Sequence, residues 1–570
     1  MGVYNQKSFA GGMNLRVDDT RLANDEYRAA FNCRNRVDTL EPILQSVEDP
    51  AAPAGLKQGI LTFGEYIIIF VAGYAYYRHY TATGWVKIDG FRMNTTAPRY
   101  WYEEIPVALT IYKRSLDATA ATTINNGIVI EFVEGASQGN LSGLLVQDNI
   151  NQPQFIYLDN NGYVKCRTTQ DYSQWSVDWA AYTAEKDKRE YVPIGNAMKY
   201  VDGILYIVNQ QKTKLLRSVS GRPLDFVVNV TVDGDKGGDA DTTAYSVGVG
   251  RIQTLHSLAD GSLFVGAGNA NFAISKNMTP NAPTIFGEYT FIRRFLFNAT
   301  CLDDRCVIDT LGDTRFIDLG GIRSFNAILQ QQNEGRNSIF SIKLNAALGQ
   351  LRQSQGSAAA IYYDNYELYA INTIFGNVIA VYDSVNEIWV AFDTNQARGS
   401  AIKQFAKIEL DIQRLFAITD DNKLYTLYSS DSYDIAAVRP PSVNANTINP
   451  ETENLLQQNV KPVDFRAVLN GITEDCTASL TTFVDNRLTD SIKVKNISFT
   501  ESANPYDGQM DLPDVDTQLS NLYWTMPNAA LGWKCFYLLS WTGGAALTQI
   551  AATVKVETPM NPLATQSNVR

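Results

Sequence analysis

The chain has 570 residues, of which 45% are hydrophobic and 19% charged, a composition typical of globular proteins with room for several domains. Its net charge of −12 argues against tight binding of nucleic-acid phosphates over the whole surface. The apolar run Tyr66–Ala72 is too short to span a bilayer, and the opening MGVYNQKSF lacks the apolar core of a signal peptide. We therefore expect no membrane segment and synthesis in the cytoplasm.

Residues 1–58 are expected to form an N-terminal arm followed by a short helix. The segment Phe9–Asn14 holds a Gly-Gly pair that favours an extended arm with a turn. Asn24–Glu26 has the composition of a helix cap with acidic residues in the first turn, and Tyr27–Cys33 would continue that helix.

The stretch Ala358–Phe392 predicts a four-stranded antiparallel meander. Its four runs of β-branched and aromatic residues are separated by turn formers at Asp364-Asn365, Gly376-Asn377 and Ser384–Asn386. The third run, Val378–Val381, is apolar on both alternating faces, so we expect both faces to be covered. A small meander covered on both faces is typical of a β-propeller blade.

The same pattern recurs along the chain, so residues 59–430 predict an all-β fold, a β-propeller of about six or seven blades. Strong copies, each a turn followed by an apolar and aromatic run, are spaced 52 to 58 residues apart. Weaker copies surround Tyr66 and Tyr163. The aromatic residues at the centres of the strong copies are Tyr206, Phe264, Phe316, Tyr369 and Tyr425.

The remaining stretches lack this rhythm. Residues 94–151 and 171–195 are expected to be insertions, and the spaced apolar residues of 322–355 predict one or two short helices. The stretch 431–460, rich in Pro and Asn, predicts a linker. The six runs of strand-forming residues in 461–570 predict a separate C-terminal β-sandwich.

The sequence offers few residues for nucleophilic catalysis or for binding a transition metal. Its two histidines, His79 and His256, lack the context of a catalytic triad or a zinc site, and we expect structural roles for both. The six cysteines are scattered apart from the pair Cys301 and Cys306, and we expect buried free thiols.

One acidic loop, Asp233–Asp241, alternates carboxylates with glycines. Such a loop either surrounds a calcium ion or forms a solvated turn, and the EF-hand pattern fails because Ala244 stands where a Glu is required.

Four further features, three charged pairs and one glycine segment, are possible sites. Glu103-Glu104 and Asp303-Asp304 have the residue types of glycosidase acid pairs, but adjacent carboxylates on a strand point to opposite faces. Gly248–Gly250 lacks the strand–turn–helix context of a dinucleotide site. Arg293-Arg294 either protects a strand edge from wrong pairing or contacts a polyanion. We therefore predict no catalytic, cofactor-binding or metal-binding residue and no enzyme activity.

Three stretches together resemble the tail nozzle (hub) proteins of short-tailed bacteriophages, also called tail tubular protein B. The opening FAGGMNLRVDDTRLANDEYRAAFNCRNR is similar to the family's Gly-Gly-x-Asn arm. The stretch from CLDDRCVIDTLGDTRFIDLGGIRSF to AAAIYYDNYELYAINTIFGNVIAVYDSVNEIWVAF is similar to its order of blade, helix and blade. The stretch GWKCFYLLSWTGGAALTQIAATVKVE is similar to its closing pair of sandwich strands.

This resemblance implies a structural virion protein that forms a homo-hexameric ring in the tail, below the head-to-tail adaptor. It implies that double-stranded DNA passes through the ring, and that tail fibres, tailspikes or a plug are further partners. The −12 charge agrees with such a role, since an acidic channel repels phosphate. The alternative is a β-propeller that acts on, or binds, carbohydrate.

Overall fold

The computed structural model describes 1–18, 21–36, 38–107, 110–111, 130–131, 141–158, 164–168, 192–218, 223, 226, 245–246, 250–268, 270–277, 290–297, 301–310, 312–328, 339–348, 358–394, 400–448, 458–489, 491–499 and 518–557. The chain divides into two compact units. The propeller unit comprises Asp49–Ser338 and Lys403–Leu424. The sandwich unit comprises Met1–Glu48, Ile339–Ile402 and Tyr425–Arg570.

The propeller unit consists of separate small antiparallel sheets in which strands adjacent in sequence pair. We number these sheets blades 1 to 5 in chain order. Their strands are Lys57–Phe63, Tyr66–Val71, Tyr74–His79 and Val86–Lys87 in blade 1, Trp101–Val107, Leu141–Gln147, Gln154–Leu158 and Val164–Thr168 in blade 2, Gly195–Val201, Ile204–Asn209, Lys214–Arg217 and Tyr245–Ser246 in blade 3, Ile252–Ser257, Leu263–Ala267, Ala270–Asn277 and Thr290–Phe297 in blade 4, and Val307–Asp309, Thr314–Asp318 and Gly321–Ser324 in blade 5.

A final hairpin completes this unit. It is formed by the strands Ile402–Glu409 and Gln413–Thr419, and the first of them enters the propeller unit at Lys403. Two strands of two residues, Thr110–Ile111 and Ile130–Glu131, form a small sheet of their own. A short 3-10 helix, Asp304–Cys306, precedes blade 5.

Apolar side chains hold consecutive sheets face to face. Phe70 of blade 1 belongs to the same buried cluster as Leu144 of blade 2, and Phe264 of blade 4 to the same cluster as Phe316 of blade 5. Equivalent clusters join blades 2 and 3, blades 3 and 4, and the final hairpin and blade 1. Blades 1 to 4 are thus covered on both faces by neighbouring sheets, which explains why their strands are apolar on both faces. The chain is therefore a β-propeller protein with additional segments.

Three of the five recurring aromatic residues mark blades of the propeller unit as predicted, whereas Tyr369 and Tyr425 belong to the sandwich unit. Tyr206, Phe264 and Phe316 each lie in the second strand of their blade. Tyr369 lies in the second strand of a four-stranded meander, which confirms the meander predicted for 358–392.

The sandwich unit contains two large sheets. Phe465 of one sheet packs against Tyr537 of the other, with ring centroids 4.8 Å apart. The six-stranded sheet contains Gly2–Gln6, Cys33–Arg36, Thr39–Pro42, Asn459–Ile472, Gln518–Thr525 and Ala546–Glu557. The eleven-stranded sheet contains Ala29–Phe31, Ala359–Tyr363, Tyr366–Thr373, Gly376–Asp383, Ile388–Asp393, Ala436–Arg439, Val443–Asn444, Cys476–Val484, Arg487–Leu488, Lys493–Ile497 and Lys534–Trp541.

Smaller elements complete the sandwich unit. Gly12–Met13 pairs in parallel with Glu26–Tyr27, and Tyr425 pairs with Glu48 where strand Leu424–Leu427 meets Val47–Glu48. The helical elements with described bounds are the 3-10 helix Ile342–Leu344 and the four-residue α-helix Ala445–Ile448.

The helix predicted over Tyr27–Cys33 is wrong. Tyr27, Ala30 and Cys33 are buried at helix-like spacing, yet each belongs to a β-strand. Ala30 pairs with Val438, and Asn32 has a φ of +53°, which no right-handed helix accepts. Pairing with distant strands therefore overrides the local pattern.

The linker predicted for 431–460 is also wrong. Ala436–Arg439 pairs with Ala29–Phe31 on one side and with Lys534–Trp541 on the other, so it is an interior strand of the eleven-stranded sheet. The sandwich is likewise more than residues 461–570, because Gly2–Gln6 pairs with Ala546–Glu557 in the six-stranded sheet. The predicted boundary at 461 therefore cuts through both sheets.

The predicted insertions and helices also need revision. The ends of 94–151 are the first two strands of blade 2, so any insertion there lies within that blade. The second predicted insertion, 171–195, lies outside the described residues apart from 192–195. In 322–355, the described helical residues are a single turn at 325–328, the 3-10 helix Ile342–Leu344 and residue 348, while 321–324 is a strand. The meander of Tyr369 is part of the larger sheet, since Phe392 pairs in parallel with Phe31.

Candidate functional site in the propeller unit

Charged residues gather where the first strands of the blades meet. The first strand of blade 3 lies beside the first strands of blades 2 and 4, as expected for the inner strands of a propeller. The group that we call the axial cluster consists of Arg99, Trp101, Lys212, Arg251, Asp303, Asp304 and Arg305.

Arg99 is the centre of the axial cluster. Its Nη1 donates to both carboxylate oxygens of Asp303 at 2.6 and 2.7 Å, and its Nη2 donates to Asp304 Oδ2 at 2.8 Å. Arg305 also donates to Asp303, from Nε at 3.2 Å and from Nη2 at 3.1 Å. The two aspartates do not point apart as expected for a strand, because Asp303 caps the 3-10 helix that begins at Asp304.

Their surroundings push the two carboxyl groups in opposite directions. Burial raises the pKa of Asp304 to about 6, and the neighbouring charge of Asp303 adds to that shift against the attraction of Arg99. Burial also opposes ionisation of Asp303, but Arg99 and Arg305 outweigh it and hold the pKa of Asp303 well below its usual range. Asp303 is therefore the permanent anion of the pair.

Two further ion pairs connect neighbouring blades. Glu103 of blade 2 accepts hydrogen bonds from the backbone N–H of Tyr200 at 3.1 Å and lies 3.0 Å from Lys199 Nζ in blade 3. Burial raises the pKa of Glu103 in spite of Lys199. His256 Nε2 of blade 4 lies 2.9 Å from both carboxylate oxygens of Asp309 in blade 5. This contact links blades 4 and 5, and the structural role of His256 stays a prediction.

Trp101 carries two cations on its ring. The guanidinium carbon of Arg99 lies 4.9 Å from a ring centroid of Trp101, and the ammonium nitrogen of Lys212 lies 5.7 Å from one. Burial lowers the pKa of Lys212, and the positive charges of Arg99 and Arg251 lower it further. Within the described ranges, no carboxylate lies within 4.0 Å of the Lys212 ammonium.

The other predicted candidates lie apart from the axial cluster. Glu104 is exposed on the face of its strand opposite to Glu103, as expected for adjacent residues. His79 contacts Thr81 Oγ1 at 2.7 Å and Glu65 Oε2 at 3.2 Å. Cys301 and Cys306 are buried free thiols, as predicted, and burial raises the pKa of both.

Arg293 and Arg294 lie on the last strand of blade 4, which pairs on one side within the described part of the chain. This placement agrees with protection of a strand edge. The acidic loop Asp233–Asp241, together with Ala244 and Gly248-Val249, lies outside the described residues, whereas Gly250 is a described turn residue. Among the residues placed by the structure, no three His, Cys, Asp or Glu side chains lie close enough to hold a metal ion. No helix in those ranges is long and apolar enough to cross a membrane.

Sequence reasoning did not find Arg99, Trp101, Lys212 or Arg251. These residues lie at the ends of strands in three different blades, and none belongs to a local motif. The segment Pro98-Arg99-Tyr100-Trp101 offers a weak signal, a cation directly before an aromatic strand.

No protein-family model and no curated protein matches this chain. Among solved structures, a putative gluconolactonase has a TM-score of 0.26 at 9% identity over 67% of this chain and 92% of its own. YCF48 from Cyanidioschyzon merolae has a TM-score of 0.33 at 8% identity over 68% of this chain and 100% of its own. A glycoside hydrolase family 43 arabinoxylan arabinofuranohydrolase from Bacillus subtilis has a TM-score of 0.23 at 9% identity over 89% of this chain and 97% of its own. Likenesses this distant carry no conclusion about function, and the β-propeller class of this chain rests on its own sheets.

Proposed function

We propose that this chain is a structural virion protein, a tail nozzle (hub) subunit of a short-tailed bacteriophage. Six copies form a ring below the head-to-tail adaptor, and double-stranded DNA leaves through the ring. Tail fibres, tailspikes or a plug are its further partners. The protein is synthesised in the bacterial cytoplasm, resides in the virion tail, and performs no chemistry of its own.

The observation that carries this proposal is that parts of the three stretches similar to tail nozzle proteins pair with one another in the sandwich unit. Phe31, from the opening stretch, pairs with Phe392, from the middle stretch. Cys33–Arg36 pairs with Thr39–Pro42, which in turn pairs with Ala546–Glu557 of the closing stretch. Stretches that are far apart in sequence thus build one common scaffold, which supports treating their separate resemblances as a single feature.

A buried ion pair strengthens the same junction. Arg34 donates to Asp393 in a bidentate pair, from Nη1 at 2.9 Å and from Nη2 at 2.7 Å. Tyr428 donates to the same carboxylate at 2.6 Å, and its ring lies 5.0 Å from the Arg34 guanidinium. A bidentate arginine fixes orientation as well as distance, so the opening arm is held rigidly in this scaffold.

The sandwich unit also presents apolar side chains that favour self-assembly. Leu488 is 57%, Val494 58% and Ile492 59% exposed, and the first two lie on outer strands next to Cys476–Val484. Apolar side chains exposed on neighbouring outer strands become available for contact with another protein, and contiguous exposed apolar surface is typical of protein–protein contacts. A neighbouring copy in a ring is the partner that the proposal supplies for this surface.

The mass of the purified protein in solution tests the proposal. Light scattering should give a closed ring of about six copies, since repeated head-to-tail contacts close into cyclic rings. The ring should not retain duplex DNA at physiological salt. A monomer at micromolar concentration, or a ring that holds duplex DNA at that salt, would overturn the proposal.

A second function is favoured by Asp303 and Asp304. Two carboxyl groups whose pKa values are pushed apart are the pattern of an acid and a base in glycosidases. The competing proposal is therefore a carbohydrate-directed propeller. Release of reducing sugar from a polysaccharide panel, lost in Asp304→Asn, would support it. The absence of turnover and of binding across the panel would dismiss it.

A further inference from the structure

We propose that the cations beside the Trp101 ring, Arg99, Lys212 and Arg251 in the propeller unit, bind a small anion through its phosphate or carboxylate oxygens. This site is independent of the nozzle assignment, because it depends on the propeller unit alone.

The first observation is an excess of positive charge in the axial cluster. Its four cations are Arg99, Lys212, Arg251 and Arg305, and its two anions are Asp303 and Asp304. Asp303 is hydrogen-bonded to two arginines. Among the described residues, Lys212 has no carboxylate within 4.0 Å, although Asp303 and Asp304 attract it from farther away. This excess stands out in a chain whose net charge is −12.

The second observation is how the chain forces these cations together. The backbone N–H of Ile252 donates to the carbonyl of Lys212 at 2.7 Å, so the segment that begins with Arg251 is tied to the turn that carries Lys212. Lys212 itself has a φ of +62°, a conformation that a lysine seldom adopts. Backbone bonds, rather than attraction between side chains, thus hold like charges in one place.

The third observation is an unused hydrogen-bond donor on Arg99. The Nε of Arg99 is buried and makes no hydrogen bond in the structure, although Nη1 and Nη2 are occupied by the two aspartates. Burial lowers the pKa of Lys212, and the charges of Arg99 and Arg251 lower it further, against the attraction of Asp303 and Asp304. An anion bound among these cations would reduce the repulsion between them. Arginine and lysine are the side chains that bind phosphate and carboxylate groups most strongly.

Isothermal titration of the full-length protein with inorganic phosphate, and separately with citrate, tests the site in chloride buffer at constant ionic strength. The test variants are Lys212→Gln and Arg251→Gln. The matched control is Lys87→Gln, because Lys87 also stacks on an aromatic ring, 3.5 Å from the centroid of Tyr74, but lies in blade 1.

We expect saturable binding to the wild type and to Lys87→Gln, and binding that is about tenfold weaker in Lys212→Gln and in Arg251→Gln, as for the loss of one charged contact. Binding of phosphate without citrate, or the reverse, would identify the ligand class. Thermal unfolding in chloride would establish that each variant is folded. Equal binding by all four proteins, or no saturable binding of either anion to the wild type, would overturn the proposal.

Discussion

Arg99 and Asp303, 204 residues apart in the sequence, are joined by two hydrogen bonds of 2.6 and 2.7 Å from a single guanidinium nitrogen. The pair links the start of blade 2 to the start of blade 5, and Asp304 shares the same guanidinium. The side chains of Arg99 and Asp303 are only 14% and 24% exposed, so solvent screens their attraction weakly. The axial cluster is therefore a cross-link between distant blades as well as a group of charges.

Replacing Arg99 should destabilise the propeller unit. Arg99→Gln leaves Asp303 and Asp304 without their shared cation, and the loss of one partner of a buried ion pair costs about 3 kcal/mol. Urea unfolding followed by fluorescence measures the change. Arg36→Gln is the control, since Arg36 is 72% exposed in its ion pair with Glu41 and should cost less than about 1 kcal/mol. Equal losses in the two variants would contradict a special role for Arg99.

Asp304 should make stability depend on pH. Its pKa in the folded protein is raised to about 6, whereas an unfolded chain releases this proton near about 4. The folded state therefore keeps a proton that the unfolded state has lost, and this contribution is full below about pH 4 and disappears as the pH rises through about 6.

The comparison with Asp304→Asn isolates that effect. The free energy of unfolding of the wild type, measured relative to Asp304→Asn, should fall between about pH 4 and 6 and then stay level. Urea titrations across this range provide the measurement. A rise over the same interval would show that the pKa of Asp304 is lowered in the folded state.

The contact between blades 1 and 2 should be sensitive to loss of volume. Phe70 is fully buried and stacks on Phe91 with ring centroids 5.4 Å apart. Phe70→Ala should therefore cost about 3–5 kcal/mol of unfolding free energy. Val86→Ala in the same blade removes a side chain that is 51% exposed and should change stability by less than about 0.5 kcal/mol. Similar small changes in both variants would argue against the described packing of the two blades.

Residues 461–570 should not fold when expressed alone. In the sandwich unit, Val438 pairs with Leu539, and Tyr4 pairs with Ala552. The isolated segment lacks both partners and would expose unpaired strand edges that aggregate. Circular dichroism of the isolated segment should show little native strand signal compared with the intact chain, which serves as the reference. A soluble fragment with a cooperative thermal transition would restore the independent domain expected from the sequence.

Assembly should depend on the apolar surface of the sandwich unit. Val494→Asp places a charge on a side chain that is 58% exposed and should reduce the ring to smaller species in light scattering. The control is Val385→Asp, which is 66% exposed on a turn. If the wild type and Val494→Asp both form the ring, the contact between subunits lies on another surface, and this result does not contradict the nozzle proposal.

Much of the local structure was predictable from the sequence, while the candidate site was not. Runs such as Val378–Val381 and the turn at Asp364-Asn365 specify strands and hairpins because both signals come from residues a few positions apart. Asp303 and Asp304 were noticed as a pair, but their orientation was not, since it depends on a 3-10 turn and on an arginine from another blade.

The sequence by itself determined that this chain is all-β and built largely of meanders, because turn chemistry and apolar alternation act within one hairpin. Tertiary structure alone decided that Ala29–Phe31 and Ala436–Arg439 are strands, since each finds its hydrogen-bonding partners far away in the chain. It also decided that Lys212 and Arg99 both lie over the ring of Trp101. Such a charge cluster arises from the packing of whole blades, and no local pattern of residues encodes it.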